Sequence, residues 1–295
     1  MSSSIRRFQG PLFMVAATAS FVSNDTLMKL ATAGLPPYEV LVLRGVSATL
    51  WAVPVLLVLK LGRDIPSILQ RSLLLRNGLE VLGILSFIVA LAHMPIADVT
   101  ALGQITPLLV LLGASLMFGE ALGWMRGMLV GVGFTGAIMV AQPSREGLSV
   151  FALLALANAV FSAGRDIASR RVATGVPGLV VAFGAIVMVL VGAGIAHVAL
   201  EDWTTPSSRH LLLLGAAGLF LLGGHFFLFM AYRVGPASTV APFFYFFTVW
   251  AVISGVLVFG HFPNRLALAG MLLVVASGVA VVILDQRRRH RTPAP

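Results

Sequence analysis

Cysteine is absent from the 295 residues. That excludes disulfides, thiolate metal sites and cysteine nucleophiles. Charge is scarce as well: Asp, Glu, Lys and Arg together make up 11%, against about 25% in soluble proteins. No Gly-rich phosphate loop ending in Lys-Ser or Lys-Thr occurs, which removes ATP as the fuel. His-Glu-x-x-His and Gly-x-Ser-x-Gly are missing too, and no cytoplasmic domain remains to house chemistry. An enzyme is therefore not expected, nor a cofactor or a bound metal.

Apolar runs fill the chain instead, and hydrophobic residues reach 58%. Runs of about 20 residues can cross a bilayer core of about 30 Å as helices. Ten are read at 10–32, 38–59, 74–93, 96–117, 122–141, 148–171, 178–199, 210–231, 236–258 and 264–284. They are apolar all round, whereas barrel strands alternate every second residue. The expected fold is an all-α integral membrane protein of ten transmembrane helices.

One stretch repeats another 141 residues later. Asp25 and Lys29 recur as Asp166 and Arg170, and Gly34 and Pro36 as Gly175 and Pro177. Gly83 recurs as Gly224, Ala90 as Ala231, Pro95 as Pro236, and Phe118-Gly119 as Phe259-Gly260. A duplicated unit with an odd number of spans inserts upside down, which is the architecture of secondary transporters with a site between the halves. Residues 1–142 form the first five-helix repeat, 143–285 the second and inverted one, and 286–295 a basic cytoplasmic tail.

The net charge of +9 then reads as topology. With ten spans both termini share one side. That side holds Arg6, Arg7, Lys60, Arg63, Arg71, Arg76, Arg126, Arg170, Arg171, Arg233, Arg287, Arg288, Arg289 and Arg291. The other side holds Lys29, Arg145, Arg209 and Arg265. Fourteen against four is a strong positive-inside bias, which places both termini in the cytoplasm. Nucleic acid is not an expected partner, because no soluble surface carries a basic patch.

Several motifs resemble the drug/metabolite transporter superfamily, in its ten-helix EamA-type branch. They are Asn24-Asp25-x-x-x-Lys29 before Gly34-Leu35-Pro36-Pro37, Leu43-Arg44-Gly45, Pro95-Ile96-Ala97-Asp98, Pro107 and Phe118-Gly119-Glu120. Gly127, Gly131, Gly133 and Gly136 follow, and the second half echoes them with Gly235-Pro236-Ala237-Ser238, Phe259-Gly260 and Gly270. His261 departs from the pattern, standing where the family usually has an acid. The resemblance implies a bacterial inner-membrane protein that moves a small molecule. Similar members export amino acids and related metabolites or import vitamins and nucleotide-like compounds.

An ionisable group near a helix centre costs at least about 2.5–3.5 kcal/mol, so each needs a partner or a task. Asp25 and Lys29 stand at i, i+4 with the acid first, as do Asp166 and Arg170. On the topology above they lie at opposite mouths, either as gates closing in turn or as pairs that only satisfy their own charges. Arg44, Glu80 and His225 have no repeat counterpart, since the equivalent positions hold Ala185, Leu221 and Ile84. Unduplicated polar groups suit a chiral substrate. Arg44 can grip a carboxylate or pair with Asp25. Glu80 can hold an ammonium, carry a proton or pair with Arg76. His225 is a packing residue or a proton carrier, so proton coupling stays open.

Asn158, Phe161, Ser162 and Arg165 fall on one helical stripe. Thr100, Gln104 and Pro107 share a face of the fourth span, and Tyr245 is the repeat equivalent of Gln104. Helices related to the fourth and ninth spans line the central cavity in the family. Substrate-binding candidates are thus Arg44, Glu80, Gln104, Asn158, Phe161, Ser162, His225 and Tyr245, with Glu80 set against an ammonium and Phe161 and Tyr245 against a side chain. Pro107 and Pro242 are hinge candidates or static kinks. Glycines of the fifth and tenth spans permit close packing or a weak homodimer. The reading is export of small polar metabolites by alternating access, with amino acids, aromatic or apolar ones included, first among them. Uptake of a vitamin or nucleotide-like compound and a receptor or scaffold without flux are the alternatives.

Overall fold

The structure is a computed structural model that describes residues 3–118, 123–142, 148–169, 171–172, 175–235 and 237–291. The gate candidate Arg170 lies outside the described residues, as do Gly119, Glu120 and Pro236 of the repeat. Every regular element among the described residues is helical. That follows from an apolar chain in a solvent with no hydrogen-bonding capacity, where a helix satisfies its own backbone.

The elements are α1 (Ser3–Ala31), α2 (Pro37–Val58), a 3-10 segment (Leu61–Leu69), α3 (Arg71–His93), α4 (Ile96–Gly103) and α5 (Thr106–Phe118). The second half holds α6 (Trp124–Ala141), α7 (Val150–Ser169), α8 (Gly178–Leu200), α9 (Ser208–Val234) and α10 (Ala237–Val240). A second 3-10 segment (Ala241–Tyr245), α11 (Phe246–Phe259) and α12 (Arg265–Arg291) complete it. Nine spans among the described residues are long and apolar enough to cross a membrane, counting Ile96–Met117 and Ala241–Phe259 as one each. The further helix α1 has 29 residues and is not among the nine. Helix α12 continues to Arg291, so part of the stretch expected as a tail is helical.

Sequence punctuation sets the ends. Pro37 opens α2 at a position whose N–H has no helical acceptor. Ser207 and His210 form a reciprocal capping pair at α9. Gly260 takes φ of 66° after α11, and the His261 N–H then reaches the Gly255 carbonyl at 2.9 Å.

The fourth and ninth spans are both broken near mid-length. The amide of residue 107 would donate to the Gly103 carbonyl in a continuous helix, but Pro107 has no N–H. Thr106 Oγ1 donates to that carbonyl instead, at 2.7 Å. Pro242 sits in the 3-10 segment that interrupts the ninth span. Gln104 Nε2 points across to the Phe244 carbonyl at 3.5 Å, so one break faces the other.

Packing crosses between the halves. Helix α1 lies along α9, and α7 lies along α3. The first helix of each half thus packs on the third span of the other. Glycines at repeat-equivalent positions make room: Gly224 faces the Phe21 ring, and Gly83 faces Asn158 and Phe161. Helices α6 and α12 meet backbone to backbone at Gly136 and Gly270, where a methyl on either would strike the other's carbonyl oxygen. These glycines therefore serve a contact within one chain.

Candidate functional site

A cavity of about 430 Å³ lies where α1, α2, α3, α4, α5, α7, α8, α9 and α11 converge. Arg44, Glu80, Gln104, Asn158, Ser162 and His225 line it, as do the gate candidates Asp25 and Asp166 and the hinge candidate Pro107. Two expected contributors do not. The Tyr245 ring fills the space left by the missing side chain of Gly278 on α12, and Phe161 packs against Gly83 of α3. The 3-10 winding of Ala241–Tyr245 turns Tyr245 away and leaves Phe244 and Phe247 on the wall. Phe21 joins them, stacked on Phe247 at 6.1 Å and edge-on to His225 at 5.2 Å.

The charges divide into a closed set and an open one. Glu80 accepts from Arg165 Nη1 at 2.9 Å and lies 3.4 Å from Arg76 Nη2. Arg165 also grips Asp166, through Nε and Nη2, both at 2.8 Å. Arg76 donates to Asn77 Oδ1 at 2.7 Å. Two arginines and two acids from α3 and α7 thus neutralise one another. Glu80, a candidate for a substrate ammonium, has its carboxylate held by two guanidinium groups, one of them the Arg76 that its i, i+4 spacing offered as a partner. The network had no signature in sequence beyond the i, i+4 spacing of Arg76 and Glu80, since Arg165 lies 85 residues away.

Arg44 and Asp25 form the open set. Arg44 is 4% exposed, and among the described residues its buried Nε has no hydrogen-bond partner. Asp25 is 7% exposed and, among the described residues, accepts only from Asn24 Nδ2, at 2.9 Å. Among the described residues the two do not close into an ion pair, and Arg44 lies within electrostatic reach of Glu80 as well as of Asp25. Asn24 Oδ1 and Thr100 Oγ1 are buried and unpartnered among the described residues, and both side chains belong to the same wall.

The i, i+4 pair of Asp25 and Lys29 does not form. Lys29 Nζ donates to the carbonyls of Leu91 and Met94 at 2.6 and 2.7 Å, at the C-terminal end of α3. It also lies 5.7 Å from the centre of the Phe259 ring. Carbonyls at a helix end lack intrahelical donors and carry partial negative charge, so they outbid a carboxylate that Asn24 already engages. Thr26 and Ser254 hydroxyls meet beside them at 2.6 Å, and Ile96 packs near Gly255. Helices α1, α3, α4 and α11 are thereby drawn together at this end. At the other, Arg-bearing end the cavity reaches Asp166, whose side chain is 44% exposed.

The sequence pattern of the EamA-like transporter family matches twice, over residues 8–142 and 150–284. The chain belongs to this family. It is 30% identical over 280 residues to the pseudopaline exporter of Pseudomonas aeruginosa, covering 92% of this chain and 95% of that protein. It is 29% identical to the riboflavin transporter of Rhizobium johnstonii over 75% of this chain and 72% of that one. An S-adenosylmethionine uptake transporter of Rickettsia prowazekii is 26% identical, with 93% and 92% covered. One solved crystal structure shares the fold with a TM-score of 0.65 at 22% identity, covering 96% of this chain and 99% of that one. The chain is thus a two-repeat, multi-pass membrane protein of a metabolite-transporting family whose relatives are transporters rather than enzymes.

Proposed function

We propose that this EamA-family protein exports small polar organic metabolites, amino acids first, across the bacterial inner membrane by alternating access. In this reading α1 is the tenth span, and the two five-helix repeats insert in opposite orientations. Both termini are cytoplasmic, on the bias of Lys and Arg. The carrying observation is a charged cavity between the halves, with Lys29 tying α1 to the end of α3 and the part-exposed Asp166 on the cavity wall. Its volume falls at the small end of the range of ligand sites, about 300–1,000 Å³. Gradients of substrate or proton set the direction, because alternating access is reversible.

The identity to an exporter over nearly the full chain supports outward movement. Uptake of a larger compound is the second reading, favoured by the similarity to riboflavin and S-adenosylmethionine transporters. Counterflow into liposomes holding the purified protein separates them. Labelled amino acids, riboflavin and S-adenosylmethionine are offered against unlabelled compound inside. Accumulation of amino acids is the expected result. Accumulation of only the larger compounds supports the second reading, and absence of all flux from the folded protein points first to a substrate outside the panel and then to a receptor or scaffold.

A further inference from the structure

Six formal charges line the cavity, three of each sign: Asp25, Glu80 and Asp166 against Arg44, Arg76 and Arg165. Four of them cancel through the contacts among Arg76, Glu80, Arg165 and Asp166. What remains is one guanidinium and one carboxylate, each more than nine-tenths buried, on neighbouring helices and not in contact. Leaving both charges unsatisfied in a membrane interior is costly. A ligand with one positive and one negative group on the same carbon atom would satisfy both at once.

We propose that Asp25 and Arg44 are the two halves of a zwitterion site, taking the ammonium and carboxylate of an α-amino-acid head group. Arg44 supplies the planar fork that matches a carboxylate. Asp25 faces the ammonium, and its three protons find further acceptors in Asn24 Oδ1 and Thr100 Oγ1, the unpartnered oxygens of the same wall. The aromatic wall of Phe21, Phe244 and Phe247 then meets an apolar side chain. Asp25 is thereby a recognition residue. A net anion or cation fits worse, because it leaves one of the two charges unanswered.

The identity of the cargo rests on the transport reading, but the site itself is tested by binding. The probes are phenylalanine, its amide without the carboxylate, and N-acetylphenylalanine without the ammonium. Each is titrated onto the purified protein, with thermal stabilisation and calorimetry as readouts. Wild type is expected to prefer the zwitterion over either derivative by about tenfold or more, the worth of one charge-assisted hydrogen-bonded contact. Arg44→Gln should abolish the preference over the amide while keeping that over the N-acetyl compound. Asp25→Asn should do the reverse. His261→Ala, outside the cavity, should leave both preferences in place.

Both preferences kept in Arg44→Gln and in Asp25→Asn, or equal binding of all three probes by wild type, would overturn the site. Folding is monitored by melting curves. Should Asp25→Asn fail to fold, Asn24→Ala and Thr100→Ala replace it, each expected to weaken the preference over the N-acetyl compound. Failure of the two readings is separable. Riboflavin counterflow without zwitterion binding refutes the site and keeps transport. Zwitterion selectivity without any flux keeps the site and refutes transport.

Discussion

Glu80 illustrates how a charged residue in a span can be structural. Removing its charge leaves Arg76 and Arg165 facing each other without their shared acceptor. Breaking a buried pair costs about 3–5 kcal/mol, and the partial exposure of this one, 18% at Glu80 and 24% at Arg165, argues for a smaller loss. Glu80→Gln is predicted to destabilise the protein by about 2 kcal/mol. Thermal melting in detergent checks it. Adding Arg165→Gln should restore part of the loss, since the two changes share one interaction. Equal melting temperatures for wild type and Glu80→Gln would contradict the network. Sequence revealed that Arg44, Glu80, Gln104, Asn158, Ser162 and His225 belong inside, because polar groups in a span seek the interior. It did not reveal what they touch. Lys29 bonds to backbone carbonyls, which leave no mark in a sequence, and Tyr245 sits in a run of aromatics with no periodic clue to its direction.

Among the helices, the least legible feature is a brace between α2 and the end of α8. The Glu201 carboxylate accepts the amides of Tyr38 and Glu39 at distances of 2.9 to 3.1 Å. His197 Nδ1 lies 3.0 Å from the same carboxylate. Glu39, fully buried, in turn accepts from the Thr204 amide at 2.9 Å. Free amides at a helix start attract a carboxylate, here one supplied from about 160 residues away. Such a cap is worth about 1 kcal/mol. Glu201→Gln is predicted to speed hydrogen exchange at the Tyr38 and Glu39 amides several-fold, with exchange in α6 and α12 unchanged. Unaltered exchange at α2 would show that the cap is dispensable. The helices themselves were legible from apolar run length. The break near Pro107 was legible as a kink, but its compensation by Thr106 was not, because a hydroxyl does this in some contexts and not in others.

The molecule as a whole is two similar halves, each lending its first helix to the third span of the other. That exchange makes a mouth at either end possible, and the structure has one end drawn together by Lys29, Thr26 and Ser254. Repeats at a fixed offset announced the halves, whereas the asymmetry between the two ends belongs to conformation and is not written in composition. The chain's lack of cysteine lets one introduced thiol report which end is open. Ser162→Cys places it on the cavity wall. In vesicles of known orientation, a membrane-impermeant maleimide is predicted to label it from the cytoplasmic face and not from the other. Adding Lys29→Gln should let the reagent in from the second face. Equal labelling from both faces with Lys29 in place would contradict closure of the cavity at the Lys29 end.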